Sequence, residues 1–95
     1  MIKLDKFNKN VSYILENMGL SKSELFKTSK KQAIVDARQI LFYVCKQDGM
    51  SISYIQKYLK DNGFDVEHST IIHGINKITG LVQKDKDLKQ FVKNV

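Results

Sequence analysis

Ninety-five residues at 11.0 kDa make one small domain, 1–95. A chain of this size buries roughly 60–65% of its unfolded surface, which excludes a second core, an ATPase module or a barrel of ordinary size. At 42% hydrophobic and 27% charged it is globular, and no proline with only 5 glycines argues for an all-α fold rather than a turn-rich all-β one. Sixteen Lys and Arg against ten Asp and Glu give a formal +6. That balance favours polyanionic partners, although a lysine-rich genome leaves the same mark.

In chain order, Phe7, Val11, Ile14, Leu15 and Met18 recur as one face of an amphipathic helix, with Asp5 able to cap its start and Gly19 to end it. Ser21 and Glu24 have capping-box spacing, which predicts a short helix through about Phe26 or Lys27. The polar, basic stretch 27–31 reads as a connector. A long helix then runs from about Lys31 to Gln47 on a stripe of Ile34, Ala37, Ile40, Leu41, Val44 and Cys45, stopped by Asp48-Gly49. Ser51 caps the next helix, which buries Ile52, Ile55 and Leu59; Gly63 lets Phe64 fold back on Leu59. Asp65 is the expected cap of the following helix, with Glu67 in its positive first turn and Ile71, Ile75, Ile78 and Val82 as its stripe. A last helix from about Asp85 carries Leu88, Phe91, Val92 and Val95. The expected architecture is a compact bundle of about six helices.

The helix pair at 51–82 has the pattern of a helix-turn-helix, whose second helix enters a DNA major groove. At 100° per residue, Ser69, His73, Asn76 and Gly80 lie within roughly a 60° arc opposite the isoleucine stripe. Small polar groups and a histidine can approach base edges and phosphates, whereas a merely solvated face usually carries more Lys and Glu. His68 and His73 are five apart, roughly 140° around a helix, so they do not form a metal pair, and no metal or other cofactor is expected. Ser69 beside His68 is no catalytic dyad, and neither a phosphate loop nor a nucleophile elbow is present, so no enzyme activity or small-molecule substrate is expected. Cys45, the single cysteine, cannot form an internal disulfide and reads as a buried hydrophobe. No apolar run approaches 18 residues and no signal peptide is evident, so the chain reads as soluble and intracellular, with no membrane partner. Tyr54 and Tyr58, four apart, suit the edge of the core, with base stacking as the alternative. Arg38 is the only arginine; it suits a narrow minor groove, or a surface ion pair with Asp36.

Ala37-Arg38-Gln39-Ile40, Ser51 with Ile55, His68-Ser69-Thr70-Ile71-Ile72-His73 and Lys77-Ile78 follow one another in an order that resembles the C-terminal DNA-binding domain of the bacterial replication initiator DnaA. The stretch Val11 to Ser29, with Leu20-Ser-Lys-Ser-Glu-Leu25 in it, also looks like that domain's opening helices. The resemblance implies a Trp-repressor-like helix-turn-helix that binds double-stranded DNA in the cytoplasm of a bacterial or phage-infected cell. It implies that Arg38 enters the minor groove and that Glu67, His68 and Ser69 read bases in the major groove. Thr70, His73 and Lys77 would hold the backbone, with Lys27, Lys30 and Lys31 on phosphates. Two departures stand out: Val66-Glu67 replaces the family's Arg-Asp, and the connector ahead of it is longer.

The reading that follows is sequence-specific duplex binding by a DnaA-like module acting in transcription regulation or replication-initiation control. Met1 and the compact length favour a complete protein. Two alternatives remain: an interaction module that keeps the fold without reading DNA, and a binder driven by charge alone.

Overall fold

The computed structural model describes residues 2–27 and 29–95. Six α-helices follow in order: α1 Ile2–Met18, α2 Lys22–Leu25, α3 Gln32–Gln47, α4 Ile52–Asp61, α5 His68–Val82 and α6 Lys86–Lys93. No strand occurs among the described residues.

Helix α3 is the spine. It packs against α1, α2, α4 and α5. Its expected stripe is buried throughout, and Phe42 and Arg38 are buried as well. The reason is that α5 lies along a second side of α3, so the buried sector is wider than one stripe. Gly74 makes this approach possible. A methyl group at that position would sit 2.9 Å from the ring of Phe42 and 3.1 Å from Cγ of Gln39. Phe7, Val11 and Ile14 of α1 close the core from one side, and Ile55, Tyr58 and Leu59 of α4 close it from another. Helix α6 buries nothing completely; Leu88, Phe91 and Val92 rest half-buried on the core, with Phe91 edge-on to Tyr13 at 5.3 Å.

Local signals set most of the ends. The Ser21–Glu24 box is closed both ways, with bonds of 2.9 and 3.2 Å. Ser51 accepts from the Tyr54 amide at 3.2 Å, and Asp85 from those of Asp87 and Leu88. After α4, Gly63 turns left-handed at φ +88° and the Phe64 amide returns to the Leu59 carbonyl at 2.9 Å.

Two expected starts are corrected. Helix α1 begins at Ile2, so Asp5 lies within its first turn, where an acid favours the dipole, rather than ahead of it. Asp65 does not cap α5; Glu67 holds that position, extended at φ −83° and ψ 158°, and makes no side-chain cap bond. The segment before it is held out of the helix because the Val66 carbonyl accepts from Nε2 of Gln56 at 2.8 Å.

Cys45 is fully buried, and Nδ2 of Asn10 donates to its sulfur at 3.6 Å and to Asp48 at 2.8 Å. Burial pushes the thiol up to about 12. Tyr58 is buried against Phe7, whereas Tyr54 is 42% exposed under the ammonium of Lys3.

Candidate nucleic-acid interface

Helices α4 and α5 with the connector 62–67 form the helix-turn-helix. The connector is anchored twice on its inner side. Phe64 is buried, and Val66 packs half-buried against the core. Valine at 66 therefore fills the core edge.

Glu67, His68, Ser69, Thr70, His73 and Lys77 are all exposed. With helical spacing, Thr70, His73 and Lys77 follow one another along one flank of α5, and Ser69 and Asn76 lie beside them. On the other flank Ile72 is 45% exposed. The doublet Ile71-Ile72, outside the polar arc, carries the signal for this exposure: of two adjacent helical residues, only one can point straight into the core. Gly80 has open space around it.

Nε2 of His68 lies 2.9 Å from Oε1 of Gln56. The Gln56 amide thus spans from α4 to the first residue of α5 while also holding the Val66 carbonyl. No local signal marks this residue, because a glutamine on an amphipathic helix is ordinary and its partners are ten and twelve positions away.

Arg38 departs from its expected place. It is only 7% exposed and does not present its guanidinium at the surface. Nε donates to the Leu25 carbonyl at 2.8 Å, one terminal nitrogen to the Ser29 carbonyl at 3.2 Å, and the other to the carbonyl of Lys27. The guanidinium also stacks over the Phe64 ring at 4.3 Å. No ion pair with Asp36 forms; Asp36 instead accepts from Gln32 at 2.7 Å. Burial lowers the guanidinium from its ordinary value. Entering a minor groove from this position requires releasing three carbonyls, so in this conformation Arg38 is a clamp. What it clamps is the lysine-rich connector.

Lys27, Lys30 and Lys31 on that connector are exposed. Lys27 and Lys31 flank a shallow depression with Glu24, Ser29 and Ile34. Hydrogen bonds from the Ser21 amide and then its hydroxyl hold the Glu24 carboxyl below its ordinary range. Arg38, Phe64, Thr70 and His73 line one small cleft. Arg38 thus holds the backbone of the lysine connector through its guanidinium and shares a cleft with Thr70 and His73 of α5. Lys27 and Lys31 meet at the depression, Thr70 and His73 at the cleft, and Glu67, His68 and Ser69 stand at the start of α5. Among the described residues no cluster of three His, Cys, Asp or Glu side chains is placed to hold a metal ion, and no helix is long and apolar enough to cross a membrane.

Known proteins share part of this sequence. The sequence pattern of the bacterial DnaA protein helix-turn-helix matches residues 11–78. The chromosomal replication initiator protein DnaA of Geobacter metallireducens is 32% identical over 83 residues, which is 87% of this chain and 18% of that protein. The DnaA of Kosmotoga olearia is 45% identical over 62 residues, 64% of this chain and 13% of that one. The DnaA of Streptococcus agalactiae serotype Ia is 34% identical over 71 residues, covering 75% and 15%. The chain thus spans less than a fifth of the length of these relatives. No solved structure matches it. With most of its length covered, helix-turn-helix included, the chain belongs to the bacterial DnaA helix-turn-helix family of DNA-binding domains.

Proposed function

We propose that the protein binds double-stranded DNA sequence-specifically and without catalysis, as a DnaA-like module in transcription regulation or in replication-initiation control inside the bacterial cell. Glu67, His68 and Ser69 at the start of α5 meet base edges in the major groove. Thr70, His73, Lys77, Lys27, Lys30 and Lys31 meet phosphates on either side. The observation that carries this reading is the exposure of these side chains on α5 and on the lysine connector, with that connector held by the Arg38 guanidinium, which shares a cleft with Thr70 and His73. The uncapped N-terminus of α5 adds open amides at the positive end of the helix, which favour an anion. Affinity then comes mainly from lysine and phosphate, and selectivity from the turn.

Selection of bound duplexes from a random pool, followed by gel-shift competition, tests the reading. The expected result is a selected site that outcompetes random duplex by at least about 10³-fold. A shift indifferent to sequence would assign binding to charge alone. No shift even at low salt would leave an interaction module.

A further inference from the structure

The geometry points to Gln56 as a positioning residue that fixes which nitrogen of His68 faces the DNA, so that the turn selects a base bearing an exocyclic amino group. This inference rests on the reading above, in which the start of α5 enters the major groove.

Donors and acceptors fix the arrangement. The Val66 carbonyl can only accept, so the atom of Gln56 that meets it at 2.8 Å is the amide nitrogen. The amide oxygen must then be the atom facing His68. That oxygen can only accept, so Nε2 of His68, at 2.9 Å, carries the proton. In a neutral imidazole the other nitrogen, Nδ1, is then left as an acceptor. The backbone carbonyl of Val66 therefore sets the tautomer of His68 through one intervening amide.

An acceptor in the major groove needs a donor. Adenine offers its N6 amino group and cytosine its N4 amino group, whereas guanine and thymine present only acceptors and a methyl group there. His68 held in this tautomer favours adenine or cytosine on the strand that it approaches. A histidine free to turn and to exchange its proton between nitrogens would discriminate less.

Two measurements on the full chain test this. The first needs no DNA: ring-nitrogen NMR of His68 at about pH 8, above the ordinary histidine range. The protein should show the Nε2–H form alone, and Gln56→Met should show a mixture. Detection of the Nδ1–H form, or of a mixture, in the unaltered protein would overturn the inference whether or not the variant folds. The second uses the selected site, with each adenine replaced by purine and each cytosine by 2-pyrimidinone, which lack the amino group. At one position the loss should be about 10-fold for the unaltered protein, within the range of a good base contact. In Gln56→Met the same replacement should cost less than about 3-fold, whatever common loss the variant shows on random duplex. A merely structural role would lower both affinities and leave the amino penalty intact. A selected site without an amino-dependent position, or an equal penalty in the variant, overturns the inference and leaves DNA reading standing. Failure to select any site overturns both.

Discussion

Two connectors border the proposed interface, and they are held by opposite means. The lysine-rich segment between α2 and α3 is held from inside, by a buried arginine that takes two of its carbonyls and that of Leu25 at the end of α2. The turn between α4 and α5 is held at its exit by Gln56, which joins the Val66 carbonyl to an exposed histidine. A charged group with few solvent contacts must keep all its partners, so the first connector is tied to the stability of the fold. A half-exposed amide can exchange its partners for water, so the second is tied to what the turn presents. The stability of one connector and the presentation of the other thus depend on separate residues, Arg38 and Gln56.

The largest expected effect comes from breaking the inner clamp. Arg38→Ala leaves three carbonyls without their donor and opens space under Phe64, and should lower unfolding free energy by about 2–4 kcal/mol in urea titrations. Arg38→Lys should recover less than half of that loss, because an ammonium cannot fork across three acceptors or stack flat on a ring. Unchanged stability in Arg38→Ala would show that the clamp does not hold the connector. Next in size is the turn itself. Glu67→Ser supplies the missing cap of α5 and should raise stability by about 0.5–1 kcal/mol in the same titration, while weakening binding to the selected site. Higher stability with undiminished selectivity would remove Glu67 from base reading. Gly80→Ala, at an exposed helical position with open space around it, should stabilise by about 0.5–1 kcal/mol. A loss of affinity for all duplexes in that variant would show that DNA comes close to Gly80. The smallest effect is expected at the Ser21–Glu24 box. The Glu24 carboxyl is held below its ordinary value of 4.5, so its contribution is complete above that pH and is lost as pH falls through the lower folded value. An acid titration of helicity should show this step, and Glu24→Gln should lack it.

Much of this architecture was legible in the sequence because its signals are local. Ser21 with Glu24, Ser51, Asp85 and the Gly63-Phe64 pair each satisfy backbone groups within a few residues, and each does so here. The isoleucine stripes follow from helical period alone. What was not legible depends on partners distant in the chain. The start of α5 moves from Asp65 to Glu67 because Gln56 reaches across ten residues to Val66. Arg38 turns inward because carbonyls at positions 25, 27 and 29 come within its reach once α2 has packed on α3. Asn10, buried between Cys45 and Asp48, had no sequence signal either. Of the site, the exposed members of α5 were visible as a polar arc, whereas the residues that aim and anchor them were not.

Base reading by the first turn of α5 is what separates a sequence-specific binder from one driven by charge. The most direct measurement compares His68→Ala with Lys31→Ala on the selected duplex and on random duplex across a salt series. His68→Ala should cost roughly 1–3 kcal/mol on the selected duplex and almost nothing on random DNA. Lys31→Ala should weaken both alike and lower the salt slope by about 0.9. Equal losses on the two duplexes for His68→Ala would contradict base reading by this turn.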